Sequence, residues 1–231
     1  MGIKLTSRLQ KIAEQVTVGS TVADIGTDHG YIPIYLLKND ISPYVIAGDI
    51  NEKPLKSAEN NIEKYGLSHR AETRLGSGLS VLKPGEVDTI IVAGMGGILI
   101  SDLLEASKEV VDKVSALILQ PMQAQPELRK YLINNGFYID KDILVKEDHH
   151  IYEILVVKHG VQEVEHPINY EIGFHINSNP RPLASEFINE KIRATKQVIE
   201  NISKNASQPS VEKINEFTMK LKKLEEVASC L

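Results

Sequence analysis

Apolar residues recur along this chain in two rhythms. Val22-Ala23-Asp24-Ile25, Tyr44 to Ile50, Ala71 to Leu75, Val87 to Ala93 and Ser115 to Pro121 are short runs of strand length. Between them the spacing shifts to threes and fours. Leu5, Leu9, Ile12, Ala13 and Val16 share one helical face, and further helices are predicted over 31–38, 53–65, 98–107 and 126–135. Pro33 fits the second of these because it falls in the first turn, where its missing N–H has no partner to lose. Tyr138 to Lys146 and Ile151 to Lys158 follow with no helix between them, which predicts an antiparallel pair. Short buried strands alternating with helices predict an α/β fold, a mainly parallel sheet covered on both faces.

The pattern changes after Gly160, so two domains are expected, 1–160 and 161–231. Residues 161–182 have little period and hold His166-Pro167 and Asn179-Pro180-Arg181-Pro182, the mark of a linker. Then Ile188, Ile192, Thr195, Ile199 and Ile202 step by four and three, as do Ile214, Phe217, Leu221, Leu224 and Ala228. Asn205 to Ser210 interrupts the two series at Pro209. Two such seams predict a C-terminal antiparallel helical hairpin of coiled-coil type. The plainer reading is a helical cap packed on the first domain.

Composition narrows the class. The chain has 231 residues, of which 42% are hydrophobic and 25% charged, enough for one ordinary domain and an appendage. No apolar run approaches the length of a membrane span. Met1 to Thr6 lacks the apolar block of a signal peptide. Met1-Gly2 with Thr6 superficially fits a myristoylation pattern, but Leu5 to Val16 already reads as a domain helix. The one cysteine, Cys230, has no partner, so a reducing cytoplasm is expected. A net charge of −5 argues against a nonspecific nucleic-acid binder, so an RNA partner must meet a local basic patch. Lys4, Arg8 and Lys11 on the first helix offer one.

Five predicted strand ends carry the candidate chemistry. In Asp24-Ile25-Gly26-Thr27-Asp28-His29-Gly30-Tyr31, Gly26 lets a ligand approach the backbone and Asp24 can accept from a cofactor's amino group. The turn lacks the middle glycine of a dinucleotide fingerprint, and Asp28 stands where a pyrophosphate would sit. An acid there repels an anion and tolerates a cation such as a sulfonium. Asp49 falls about 20 residues further on, the spacing of a ribose-binding acid, with Ile50 placed to lie on an adenine face. Gly76-Ser77-Gly78-Leu79 ends the third strand. Ala93-Gly94-Met95-Gly96-Gly97 ends the fourth, where glycines lower the wall for a planar base. Gln120, ending the fifth, is placed to bond a base edge or simply to pack. His29 is the candidate working histidine. His149-His150 reads as a polar turn, since no other metal-ligand spacing appears and no metal is expected. No Ser-His-Asp pattern emerges from the sequence.

Five strand-then-helix units followed by two strands have the shape of a class I, Rossmann-like methyltransferase domain with a seven-stranded sheet. Together with Lys4-Leu5 through Arg8-Leu9, Ala23 through Pro33, Ala47-Gly48-Asp49, Gly76 through Leu79, Ala93 through Gly97 and Leu119-Gln120-Pro121, the chain resembles the bacterial tRNA (adenine(22)-N1)-methyltransferase family, the TrmK type, over its whole length. The family often has an acid where this chain has Ser77, and asparagine is common at the Met122 position. The resemblance implies S-adenosyl-L-methionine as methyl donor, tRNA as substrate and N1 of adenine 22 as target. It assigns the cofactor to Asp24, Gly26, Thr27, Asp28, His29, Tyr31, Asp49, Ile50 and Asn51, and to Gly76, Ser77, Gly78, Leu79, Ala93, Gly94 and Met95. The residues themselves offer Lys4, Arg8, Lys11, Gly96 and Gly97 for RNA contact, and Asp28 and Gln120 are the candidates for catalysis. A monomer with no obligate protein partner is expected, because the hairpin's seams can satisfy each other. Two other readings stay open on the same fold: a small-molecule methyltransferase, and a non-catalytic RNA-binding protein.

Overall fold

The computed structural model describes residues 3–205 and 211–231. Met1, Gly2 and the interruption at Pro209 lie outside the described residues. Two compact units divide the chain, one reaching to Glu163 and the other spanning Val164–Leu231.

The first unit is built on one seven-stranded sheet in the order β3-β2-β1-β4-β5-β7-β6. Its strands are β1 (Val22–Ile25), β2 (Val45–Asp49), β3 (Ala71–Leu75), β4 (Thr89–Met95), β5 (Ala116–Pro121), β6 (Phe137–Glu147) and β7 (His150–His159). The first five are parallel, and β7 runs antiparallel to both β5 and β6. Every residue of β1 is buried, as expected of a strand flanked on both edges and covered on both faces. The expected antiparallel pair is β6 and β7, with Glu147 opposite His150 across the turn.

Helices α1 (Ser7–Ala13), α2 (Tyr31–Lys38), α3 (Glu52–Lys64), α4 (Gly97–Ala106), α5 (Lys108–Val111) and α6 (Gln125–Asn134) cover this sheet. The first helix is shorter than its apolar stripe predicts. Thr6 caps it by accepting from the Leu9 N–H, and after Ala13 the chain continues in three-residue turns that still bury Val16. α5, a single turn, has no period of its own to announce it. In α3, Leu55, Ala58 and Ile62 make the buried face.

Between α6, β6 and β7 lies a buried ion network. Arg129 is 1% exposed, and its Nη2 lies 2.7 Å from Asp142 Oδ1 and 2.6 Å from Glu153 Oε2. It ties the last helix to the antiparallel hairpin.

The second unit contains α7 (Ile168–Ile172), a 3-10 turn (Ile176–Ser178), α8 (Arg181–Asn205) and α9 (Val211–Cys230). The segment expected as linker is thus partly ordered: Ile168 and Ile172, one turn apart, are both buried. α8 begins earlier than its seam, because Pro182 sits in the first turn, where a helix accepts it. The predicted seams meet: Ile188, Ile192, Thr195 and Leu224 are buried, and Lys196 pairs with Glu225 across α8 and α9 at 2.9 Å.

Arg129→Met strands two buried carboxylates without their cation. It is expected to cost about 3–5 kcal/mol of unfolding free energy, measured by urea denaturation.

Candidate active site

The carboxyl ends of β1, β2 and β4 open onto one cleft with two lobes. One lobe, ≈ 300 Å³, is lined by Asp49, Ile50, Asn51, Ser77, Leu99 and Leu103 among others. The other, ≈ 330 Å³, is lined by Asp24, Asp28, Tyr31, Arg8 and Met122 among others. Gly26, Ala93 and Gly94 line both, so the wall they share carries nothing larger than a methyl group.

That wall is made by a bulge. Ala93 pairs with Gln120 and Met95 with Pro121, leaving Gly94 outside the ladder at φ +80°. Met122 N–H then donates to Met95 C=O at 2.8 Å and closes the ladder beyond it. Gly26, at φ +77°, approaches Met95 so closely that a Cβ would overlap the Met95 methyl. The amides of Gly26 and Thr27 both donate to Gly48 C=O, at 2.8 and 3.0 Å. They therefore hold β1 to β2 and are not offered to a ligand.

Three acids define the electrostatics. Asp49, at the end of β2, accepts from the Asn51 N–H at 2.7 Å, which fixes its carboxylate at the lobe wall. Asp24 is only 5% exposed, and burial pushes its carboxyl up to about 6. The Thr27 hydroxyl opposes that rise, and the charges of Asp28 and Asp49 add to it. Asp28 is far more open, with a side chain 80% exposed.

Arg8 is the cation among them. Its Nη1 donates to Gln120 Oε1 at 2.6 Å, its guanidinium lies 5.3 Å from the centre of the Tyr152 ring, and its backbone N–H is held by Glu147 at 2.8 Å. Its Nε is buried with no hydrogen-bond partner, inside the lobe wall.

Several expected site residues stand elsewhere. Gln120 is fully buried and lines neither lobe. Its Oε1 accepts from Arg8, and its Nε2 donates to Pro121 C=O at 3.0 Å, so it holds Arg8 rather than meeting a base. Gly97 is a packing glycine, because a Cβ there would overlap the Ala124 backbone, and Gly96 faces the Gln123 side chain. Gly76 abuts Val81 and Leu79 is buried, so both stand behind the Asp49 lobe without lining it. Thr27 is buried behind Asp24, and His29 points to Ser57 and Asp28, outside both lobes. Tyr31 lines the lobe of Asp24, not that of Asp49. Lys4 is exposed, and Lys11 pairs with Glu14 at 3.3 Å on the surface.

Leu99 and Leu103 were missed. One signal for them existed: Ile98-Leu99-Ile100 and Leu103-Leu104 make α4 apolar around more of its girth than packing on one face needs. Leu103 fills the space that a side chain at Gly78 would occupy.

Comparison with known proteins agrees with this architecture. A family described as "Methyltransferase domain" matches residues 5–155. The tRNA (adenine(22)-N(1))-methyltransferase of Bacillus subtilis is 32% identical over 97% of this chain and 97% of its own. The crystal structure of the Bacillus subtilis tRNA methyltransferase TrmK superposes with a TM-score of 0.88 at 33% identity, covering 98% of this chain and all of that one. That of Streptococcus pneumoniae Sp1610 in complex with S-adenosyl-L-methionine gives 0.85 at 29% identity, covering 97% and 100%. A cleft of two lobes at the carboxyl ends of β1, β2 and β4, on a chain this similar throughout its length, places the protein in the TrmK family of tRNA (adenine(22)-N1)-methyltransferases.

Proposed function

We propose that the protein transfers the methyl group of S-adenosyl-L-methionine to N1 of adenine 22 in tRNA. The observation that carries this reading is the shared wall of Gly26, Ala93 and Gly94. It lets a ligand in the Asp49 lobe meet one in the Asp24 lobe with almost no protein between them. The residues suit the cofactor. Asp49 is held where ribose hydroxyls need an acceptor, Ile50, Leu99 and Leu103 give apolar faces for adenine, and Asp24 is a buried carboxylate with no ion pair to Arg8, placed to face a ligand's cation across the low wall. When bound, S-adenosyl-L-methionine supplies a sulfonium methyl open to in-line displacement.

The chain's task is then mostly positioning, which supplies of order 7–11 kcal/mol when reacting atoms are well aligned. The ring nitrogen N1 carries a lone pair and no proton at neutral pH, so no residue has to act as general base on it. N1 lies on the pairing edge of adenine, so the base enters the Asp24 lobe unpaired or flipped out. Tyr31 and Met122 provide surfaces for it there. Asp28 accepts from the exocyclic amine and balances the positive charge that the base acquires. Arg8, aimed by Gln120 and Tyr152, grips the entering nucleotide, and Lys4 and Lys11 meet phosphates further out.

We also infer a monomeric enzyme, since the α8 and α9 seams are buried at Ile188, Ile192, Thr195 and Leu224 and half-buried at their other described positions. Among the described residues no helix is long and apolar enough to cross a membrane.

Incubation with labelled cofactor and a tRNA transcript carrying adenine 22 should yield N1-methyladenosine at that position by nucleoside mapping. A transcript with guanine there should stay unlabelled, and labelling of the two alike would reject the assignment. Arg8→Ala should lower kcat/KM for tRNA at least tenfold while cofactor affinity holds. Arg8→Lys should not restore it, because an ammonium cannot reproduce a planar fork.

Asp24 gives a prediction of opposite signs. A folded-state carboxyl raised from 3.8 to about 6 binds more protons than the unfolded chain between those values. Stability therefore falls as pH rises through that window, and the cost is complete above about 6. Asp24→Asn should raise unfolding free energy by up to about 3 kcal/mol at pH 8 and by little at pH 4. The same variant should lose the upward shift in Tm that S-adenosyl-L-methionine gives the wild type.

A further inference from the structure

Beside the Asp24 lobe, α3 clamps the turn that carries Asp28. His29 stands at φ +58° and Gly30 at φ +71°, two successive left-handed residues. A non-glycine residue rarely adopts this conformation, and such strain persists only where its surroundings enforce it. Here three of the enforcing contacts come from one helix, α3. Asn61 Nδ2 donates to His29 C=O at 3.0 Å, and Ser57 Oγ lies 2.6 Å from His29 Nδ1. Ala58 packs so close to Gly30 that a Cβ there would come within 3.2 Å of the Ala58 Cβ. On its other side, His29 Nε2 is 3.1 Å from Asp28 Oδ1. No local pattern announces these contacts, because Ser57 is 28 residues from His29.

We propose that Ser57 and His29 are positioning residues that hold Asp28 toward the target base. The proposal rests on the reading that Asp28 contacts the adenine amine. The partners dictate the tautomer. A carboxylate only accepts, so Nε2 carries the ring proton and donates to Asp28. In the neutral ring Nδ1 then accepts a hydrogen bond from the Ser57 hydroxyl, which holds the ring against rotation. The need for a clamp follows from exposure. Asp28 is at the open rim, and an untethered carboxylate there samples many rotamers. Charge stabilisation is effective when the stabilising group is already in place as charge develops. His29 lines neither lobe, so it acts through Asp28 and not on the substrate.

The test is a double-mutant cycle on kcat at saturating tRNA and cofactor, with cofactor affinity and Tm measured alongside. Ser57→Ala should lower kcat about tenfold to a hundredfold, with cofactor affinity and Tm unchanged. Ser57→Thr, which keeps the hydroxyl, should recover most of the rate. In an Asp28→Asn background, Ser57→Ala should cost nothing further, because the group it positions is gone. Equal losses from Ser57→Ala with and without Asp28 would overturn the proposal, as would a wild-type rate for Ser57→Ala beside a slow Asp28→Asn. A wild-type rate for Asp28→Asn would instead defeat the reading of Asp28 itself. Should alanine disturb α3, His29→Asn takes its place. Asparagine tolerates the left-handed backbone and can still meet Ser57 but falls short of Asp28, so it should slow the enzyme as Ser57→Ala does, and a wild-type rate would reject the clamp.

Discussion

The site depends on where the parallel sheet reverses its winding. β1 is paired on one side with β2 and on the other with β4, and the chain moves outward from it in both directions. Crossovers between parallel strands are right-handed, so the helices leaving β1 and β4 go to opposite faces. α2 packs with α3, and α4 with α6. The ends of β1 and β4 are therefore left without a helix between them, and a crevice opens above them. The cleft is this crevice, deepened by the Gly94 bulge and by the close approach of Gly26 to Met95.

Into that crevice the chain puts a carboxylate that its own stability would be better without. Asp24 sits at the end of the most buried strand, and burial opposes its charge. On the proposed reading a cationic ligand relieves this opposition, and the unfavourable burial becomes a store of affinity. Arg129 offers a contrast. It too is buried and charged, but its partners Asp142 and Glu153 are built into the fold. A charge paired within the chain supports structure. A charge whose counterpart arrives with a ligand supports binding.

Much of this was legible in the residues. The strand and helix rhythms come from burial on two faces or one, and those rhythms marked every strand of the sheet to within a few residues. Asp24, Asp49, Ser77 and Gly94 stand at strand ends, and strand ends are where α/β sheets bind ligands, so their place in the cleft could be anticipated. Gln120 stands at a strand end too, yet it faces inward and braces Arg8. Gly94 and Gly97 look alike in a glycine-rich turn, but one forms the cleft wall and the other makes room for the Ala124 backbone. Residues at a turn share a location without sharing a direction, and the local sequence does not encode direction there.

The sequence by itself determined the sheet, the order of its helices, the paired seams of α8 and α9, and the class of ligand that a turn with two acids and no middle glycine can hold. These are local or periodic properties, set by which side chains a helix or strand must bury. Only the tertiary structure decided that Arg8 lines the cleft while Lys11 does not, that Leu99 and Leu103 line the Asp49 lobe, and that Ser57 reaches His29. Each of these joins segments far apart in the chain, through packing that no single segment specifies.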